Sequence, residues 1–204
     1  MTKPYQFDQR LKQGFADYQP DIFSLDRPKA AVLVPLIMLP EPSVLLTVRA
    51  AHLNSHPGEV SFPGGMVEAV DRSLSATALR ETYEEIGFEP TRFDVMGQLS
   101  TTLSKNGVLV YPIVGLALSA EGSQASPDEI AEIFTVPWSF FATQAPELQS
   151  MDRHGFEFPI PHFYYQGKHI WGLTAMILLE LINLLEGTAW PIPDFASATL
   201  PGAG

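Results

Sequence analysis

Apolar residues along this chain occur in short runs that are separated by turns rich in proline and glycine. Four of these runs predict buried strands, at 30–39, 43–50, 93–103 and 108–118. The turn 40–42 separates the first two strands, and the turn 105–107 separates the last two. A later segment, 162–172, also has strand and aromatic character. The pattern therefore predicts strands on both sides of the centre of the chain.

Helical periodicity lies between and around these strands. Helices are predicted at 6–18, 72–86 and 172–186. Gly87 is suited to end the central helix, and Pro90 prevents its continuation. Ser126 followed by Glu129 is a helix-cap signature at the start of 126–134, so 126–129 is predicted as a loop or a helix start. Strands mixed with helices, without an internal repeat, predict one α/β (α+β) domain.

Length and composition agree with a single globular unit. The 204 residues fit one domain, 1–204, with an N-terminal extension over 1–29 and a proline-rich tail over 188–204. A net charge of -11 argues against general binding of nucleic acid or of anionic membranes. The chain has no cysteine, which excludes disulfides, zinc–thiolate sites and cysteine nucleophiles.

Neither end of the chain predicts a targeting or membrane segment. The N-terminus lacks the continuous apolar core of a secretory signal. The most apolar late segment, 172–185, is too short to span a bilayer and contains Glu180. We therefore expect a soluble, cytoplasmic protein. The closing helix, 172–186, is explained most simply as a helix that packs against the core or contacts a second copy in a homodimer.

Three glutamates crowd the end of the predicted helix 72–86. Taking Leu79 as zero, the apolar positions within about 60° on a helix are Ala76, Tyr83 and Ile86. The acids lie on the opposite side, at roughly 140°, 200° and 240° for Glu84, Glu81 and Glu85. The spacing predicts that the apolar stripe faces a core and that the three carboxylates lie together on the other face.

A solvated helix face is the ordinary explanation of such a charge run. Two details favour a different explanation. Glu81 repels Glu84 and Glu85 by about 0.2–0.5 kcal/mol per pair, and the helix dipole disfavours acids in the last turn. A cluster of hard oxygen ligands is what Mg²⁺ or Mn²⁺ requires. Gly64 and Gly65 strengthen this metal hypothesis, because paired glycines let the backbone approach the helix and present carbonyl or amide groups to a ligand.

The stretch 64–90 resembles the Nudix box, Gly-x5-Glu-x7-Arg-Glu-U-x-Glu-Glu-x-Gly-U, in which U is a bulky aliphatic residue. The segment 80–88, RETYEEIGF, supplies Arg-Glu, Glu-Glu and Gly at the right spacing. Asp71 replaces the first Glu, eight residues rather than seven separate it from Arg80, and Thr82 stands where an aliphatic residue is usual. The resemblance implies an αβα sandwich with a central mixed β-sheet and added N- and C-terminal helices.

The segment 45–65 is similar to the signature of the coenzyme A pyrophosphatase branch of that family. Its matching residues are Leu45, Leu46, Thr47, Arg49, Ala50, Gly58 and 62–65. The similarity continues at 128–137 and 170–175. Asn54 departs from the branch, which has at that position an Arg able to pair with phosphate. The resemblance implies hydrolysis of coenzyme A or its derivatives to 3′,5′-ADP and 4′-phosphopantetheine.

Nudix enzymes cleave a nucleoside diphosphate linked to another group, by attack of water on phosphorus. In these terms Glu81, Glu84 and Glu85 would hold Mg²⁺ or Mn²⁺, with the carbonyl of Gly65 as an additional ligand. Arg80 would orient the glutamates, although an ordinary helix ion pair predicts nearly the same geometry.

The resemblance also implies residues for proton transfer and for substrate binding. Glu129 is a candidate base from outside the box, with Glu81 and Glu85 as alternatives and a helix cap as its structural explanation. The candidate substrate-binding residues are Arg49, His56, Gly64 and Gly65. A surface ion pair explains Arg49 equally well, and a lone histidine such as His56 is more often structural or solvated.

Two other functions compete with cleavage of coenzyme A. Asn54 leaves open a Nudix hydrolase for another diphosphate, such as ADP-ribose, a dinucleotide or a nucleoside triphosphate. A catalytically silent Nudix domain that senses a nucleotide is a different class, and the intact glutamates argue against it. In each case the expected partner is a small-molecule nucleotide rather than nucleic acid or a membrane.

Overall fold

The computed structural model describes residues 4–53, 55–153 and 156–192, so Asn54 and the chain from 193 onward lie outside the described residues. The helices are α1 (Pro4–Ala16), α2 (Leu74–Ile86), α3 (Trp138–Thr143) and α4 (Gly172–Glu186). The strands are β1 (Lys29–Ile37), β2 (Ser43–Arg49), β3 (Val60–Ser61), β4 (Gly64–Met66), β5 (Asp94–Gln98), β6 (Thr102–Leu103), β7 (Leu109–Ala117), β8 (Ile130–Pro137), β9 (Glu147–Arg153), β10 (Phe156–Tyr165) and β11 (Lys168–Trp171).

The central sheet is mixed, as predicted. β1 and β7 run parallel, from Lys29↔Leu109 to Ile37↔Ala117, and β1 and β2 run antiparallel. The strand order is β3-β2-β1-β7-β5, with β4 beside β1, β6 beside β7 and β8 beside β2. The run 93–103, predicted as one strand, forms the two strands β5 and β6. The other predicted strands of this sheet and all three predicted helices are confirmed, with boundaries that differ by a few residues.

Alternate side chains of β1 enter two different cores. Val34 and Leu36 pack on the face covered by α1, α3 and α4. Ala31 and Leu33 pack on the opposite face with Ala78 of α2. Because successive side chains of a strand point to opposite faces, the apolar run of β1 supplies both cores. Helices therefore cover both faces of the sheet, which confirms the predicted αβα sandwich.

The segment after Ser126 is a turn and a strand, so the helix start, one of the two alternatives predicted there, is wrong. The main-chain oxygen of Ser126 accepts the N–H groups of Glu129 at 3.0 Å and of Ile130 at 2.8 Å. β8 begins at Ile130 and pairs antiparallel with β2 along its length. The cap signature is a local preference, and this long-range strand pairing overrides it. The segment 162–172 is confirmed as strand, because it contributes to a second sheet with the order β11-β10-β9.

Glu180, the charged residue inside the apolar helix α4, has partners in the rest of the fold. It accepts hydrogen bonds from the main-chain N–H of Ser100 at 3.0 Å and from the hydroxyl of Tyr18. Nearer the end of α4, Glu186 accepts a hydrogen bond from the indole N–H of Trp138 at 2.6 Å. These bonds fix α4 against neighbouring elements. None of the helices in the described part of the chain has the length and apolar character that crossing a bilayer requires.

Candidate active site

The helix α2 has a defined start and end on either side of its acidic turn. Ser73 caps its N-terminus, accepting the N–H of Ala76 on its side-chain oxygen at 3.1 Å. Gly87 ends it in the left-handed region at a φ of 63°, and its N–H reaches the carbonyl of Tyr83 at 2.8 Å. The predicted end at Gly87 is therefore confirmed, and the start lies two residues later than predicted because Ser73 is the cap.

The buried face of α2 is rotated from the face that the sequence predicts. Its buried residues are Thr77, Ala78, Thr82, Glu85 and Ile86. Tyr83 was expected in the apolar stripe but is 47% exposed, whereas Glu85 was expected on the open face and is only 3% exposed. Thr82 is accommodated because its hydroxyl donates to the carbonyl of Ala78 at 2.6 Å. The rotation places Glu85 between the helix and the sheet.

Gly64 and Gly65 let β4 approach this face of the helix. β4 pairs antiparallel with β1, with Gly65 opposite Ala31 and Gly64 opposite Val32. A Cβ at Gly65 would lie 2.4 Å from the carboxyl carbon of Glu81. A Cβ at Gly64 would lie 2.5 Å from the carbonyl oxygen of Ala31. Neither position has room for a side chain, so the doubled glycine brings the backbone within contact distance of the acidic cluster.

Arg80 holds two of the three glutamates. Its Nη1 donates to Oε1 of Glu81 at 2.9 Å and to Oε2 of Glu84 at 3.0 Å. Its Nε and Nη2 donate to the two carboxylate oxygens of Asp71, each at 3.0 Å. Arg80 therefore connects β4, through the carbonyl of Met66 at 3.1 Å, with the acidic turn. The orienting role of Arg80 stays a prediction, because an ordinary ion pair on the helix would give nearly the same contacts.

Asp71 is the fixed support of this arrangement. Besides Arg80, it accepts hydrogen bonds from the hydroxyl of Thr77 and from the main-chain N–H of Glu68, each at 2.9 Å. The bidentate guanidinium, followed by these donors, holds the pKa of the Asp71 carboxyl well below its ordinary value. Asp71 thus anchors Arg80 from the turn before the helix, although it lies one residue further from Arg80 than the acid of the family pattern.

Glu85 is a carboxylate in a poorly solvated place. Burial raises its pKa to about 8, against the hydrogen bond that it accepts from the N–H of Gly64 at 3.3 Å. The negative charges of Glu129 and Glu81 raise it further, and Arg49 opposes them with Nη1 at 4.0 Å from Oε1. Burial also raises the pKa of Glu81, and Glu129 contributes to that shift too. Glu129 is therefore near enough for its charge to act on two of the glutamates of α2.

The charge balance of this cluster fits a bound divalent cation. Among residues 4–53, 55–153 and 156–192 no three acidic or histidine side chains converge into a ready metal-binding group. Arg80 holds Glu81 and Glu84 in its own network of ion pairs. Burial nevertheless raises the pKa values of Glu81 and Glu85, so both carboxylates have a deficit of solvation that Arg80 and Arg49 do not fully offset. Oxygen donors with that deficit match the chemistry of Mg²⁺ and Mn²⁺.

Arg49 lies at the end of β2, where the register of the β2–β8 pairing shifts between Val48 and Arg49. Its Nε is buried and has no hydrogen-bond partner in the described part of the chain. A buried guanidinium N–H without an acceptor is costly, so this position is suited to an oxygen of a ligand. The structure thus brings Arg49 beside the acidic cluster.

His56 is the predicted site residue that the structure does not join directly to the acidic cluster. It lies in the loop between β2 and β3, and its Nδ1 contacts Oε2 of Glu59 at 2.6 Å. His52, in the same loop, contacts the main-chain oxygen of Asp128 through Nε2 at 3.0 Å. Glu59 was missed by the sequence analysis, although its i,i+3 spacing from His56 is a signal that could have drawn attention to it.

A protein-family model, described as the NUDIX domain, matches residues 27–154. The chain belongs to the Nudix family. It is 41% identical over 158 residues to the uncharacterized Nudix hydrolase NudL of Photorhabdus laumondii, covering 77% of this chain and 84% of that relative. It is 42% identical over 160 residues to the NudL of Cronobacter sakazakii, covering 78% and 83%. The family resemblance is confirmed, and the chain is a hydrolase that acts on pyrophosphate bonds.

Solved structures with a similar fold carry lower sequence identity. A binary complex of a Caenorhabditis elegans Ap4A hydrolase has a TM-score of 0.46 and 20% identity, covering 54% of this chain and 80% of that chain. The MutT protein of Methanosarcina mazei has a TM-score of 0.47 and 25% identity, covering 60% and 86%.

Proposed function

We propose that this Nudix hydrolase cleaves the diphosphate of coenzyme A or its derivatives, giving 3′,5′-ADP and 4′-phosphopantetheine, with Mg²⁺ or Mn²⁺ as cofactor. The observation that supports diphosphate chemistry most strongly is the pairing of opposite charges across one site. Glu85 is a buried carboxylate that Arg49, 4.0 Å away, does not fully compensate, and Arg49 has a buried N–H without an acceptor among the described residues. A diphosphate with a divalent cation satisfies both deficits.

The roles of the acidic residues follow from where each is held. Glu81, Glu84 and Glu85, with the carbonyl of Gly65, would hold the cation. When bound, Mg²⁺ or Mn²⁺ supplies positive charge to the diphosphate and lowers the pKa of a water molecule. Arg80 and Asp71 keep the carboxylates in place, because the guanidinium contacts Glu81, Glu84 and Asp71 at 2.9–3.0 Å.

Proton transfer is assigned to Glu129 in this proposal. Its charge raises the pKa values of Glu81 and Glu85, and the hydrogen bonds of Arg80 go to Glu81 and Glu84 rather than to Glu129. Its main chain is held by the N–H of Ala50, which donates to the carbonyl of Glu129 at 2.8 Å. A fixed backbone with a carboxylate outside the guanidinium network suits a general base that takes a proton from the attacking water.

Coenzyme A is favoured as substrate by the residues shared with that branch, above all Arg49 and the run 62–65. The test is mass spectrometry of the products from coenzyme A incubated with purified protein and Mg²⁺ or Mn²⁺. The expected products are 3′,5′-ADP and 4′-phosphopantetheine, and ¹⁸O-labelled water identifies the attacked phosphorus. Dephospho-coenzyme A and ADP-ribose serve as matched substrates. Faster cleavage of ADP-ribose than of coenzyme A would refute the assignment and leave the family chemistry intact.

A further inference from the structure

The loop between β2 and β3 begins and ends on a pair of facing residues. The N–H of Arg49 donates to the carbonyl of Glu59 at 3.0 Å, and the N–H of Gly58 donates to the carbonyl of Arg49 at 3.1 Å. Val48 is opposite Val60, so Glu59 follows opposite Arg49, and the second bond from Gly58 marks a bulge at this end of the hairpin. Directly opposed residues in such a pair have side chains on the same face, about 5 Å apart at Cβ. Glu59 therefore lies beside Arg49, on the face from which Arg49 points toward Glu85.

Glu59 is directed to a histidine rather than to this neighbouring arginine. The ion pair that the described residues give Arg49 is the one with Glu85 at 4.0 Å, whereas Glu59 contacts Nδ1 of His56 at 2.6 Å. A carboxylate accepts hydrogen bonds, so Nδ1 is the donor and the proton on that nitrogen is fixed. Nε2 is then the nitrogen that is left for a ligand, and it donates to a phosphate oxygen only from the ring that carries a proton on both nitrogens.

The backbone of His56 also adopts a conformation that its surroundings must hold in place. Its φ is 56°, in the left-handed region that residues with a side chain adopt infrequently. Its carbonyl accepts the N–H of Glu59 at 3.3 Å, so the turn and the side-chain bond reinforce each other. A conformation of this kind persists where the surroundings determine it, and such positions concentrate at ligand-binding sites.

We propose that Glu59 is a positioning residue that holds His56 so that Nε2 binds a phosphate oxygen of the substrate beside the one that Arg49 binds. In this arrangement the guanidinium of Arg49 and the doubly protonated ring of His56 bind neighbouring phosphate oxygens of the diphosphate. This inference rests on the proposed function, in that the ligand is a nucleoside diphosphate. It adds Glu59 to the site and makes His56 and Arg49 one anion-binding unit.

The test is a double-mutant cycle on His56 and Glu59 with steady-state kinetics on coenzyme A. Glu59→Ala is expected to raise KM about tenfold and to leave kcat within about twofold, because a charge-assisted contact to bound substrate is lost. His56→Ala is expected to raise KM to a similar extent, and the double variant no further. Glu59→Gln retains an acceptor for Nδ1 and should recover most of the affinity. Asp8→Ala, which removes the acid of a surface ion pair with Lys12 at 2.9 Å, is the matched control.

Binding of ADP with Mg²⁺, measured by titration calorimetry, separates this inference from the proposed function. Glu59→Ala should weaken ADP binding about tenfold in the wild-type background and not at all in the His56→Ala background. That result supports the inference even if coenzyme A is not cleaved. Equal losses from Glu59→Ala in both backgrounds, or unchanged affinity and KM, would overturn it while leaving diphosphate hydrolysis in place.

Discussion

Replacing Gly65 with alanine adds one methyl group at the closest approach between β4 and α2. The new Cβ would lie 2.4 Å from the carboxyl carbon of Glu81 and 2.5–2.6 Å from its two oxygens. Carbon atoms in contact are normally about 3.5–4.0 Å apart, so the carboxylate must move by at least ~1 Å. The φ of Gly65 is outside the left-handed region, so alanine meets no backbone obstacle there.

This displacement is expected to cost activity far more than stability. Glu81 is the end of a flexible side chain, so the clash can be relieved by rotating it away from its 2.9 Å bond with Arg80. Unfolding free energy should therefore fall by less than about 1 kcal/mol. A misplacement of ~1 Å in a group that holds the reacting atoms lowers turnover about a hundredfold, or ~2.7 kcal/mol in the barrier.

Gly97→Ala provides a matched control. Its Cβ would lie 2.5 Å from Cδ1 of Phe15, an equally severe clash that is remote from the carboxylates. Because Phe15 lies in the last turn of α1 and packs against the core, we expect a loss of about 1–3 kcal/mol in stability and a Tm lower by several degrees. The kcat of the folded protein should be unchanged.

The assay is kcat on coenzyme A together with Tm by calorimetry for both variants. We expect Gly65→Ala to lose kcat with little change in Tm, and Gly97→Ala to lose Tm with little change in kcat. A Gly65→Ala enzyme whose kcat stays within threefold of wild type would refute the claim that this contact positions Glu81.

Three further substitutions test the surrounding network. Glu84→Gln should lower kcat at least a hundredfold while Tm is unchanged, and unchanged turnover would remove Glu84 from the proposed metal site. Asp71→Asn should lower kcat by releasing Arg80, and it should also destabilise the fold in a pH-dependent manner. The folded pKa of Asp71 lies below its unfolded value, so its contribution to stability is complete at pH 7 and diminishes as the pH falls below about 4. Denaturant unfolding should therefore show a smaller difference in unfolding free energy between the two proteins at pH 3 than at pH 7. Thr82→Val should change stability by less than about 1 kcal/mol and leave kcat unaltered, because the Thr82 hydroxyl bonds only within the helix, and a large loss of activity would contradict that account.

Local signals in the sequence were sufficient for the end of α2 and for the close approach at Gly64 and Gly65. Gly87 adopts the left-handed cap that its position predicts, and the glycines have no room for a Cβ. These features depend on the backbone of a few consecutive residues, which is why composition and spacing reveal them.

Features that depend on distant strands could not be predicted in the same way. The rotation of α2 that buries Glu85 and exposes Tyr83 depends on its packing against β1 and β4, which helical periodicity does not include. The turn at Ser126 is decided by pairing of β8 with β2. The proximity of Glu59 to Arg49 requires the register of the β2–β3 hairpin, which the sequence leaves open.

The central claim is that Glu81, Glu84 and Glu85 gather divalent cations beside Gly65. Anomalous diffraction from crystals grown with Mn²⁺ and a diphosphate ligand tests it most directly. We expect Mn²⁺ bonded to oxygens of these glutamates, with phosphate oxygens on the same ion. A protein that hydrolyses the diphosphate in Mn²⁺ but has no ion at these carboxylates would contradict the account.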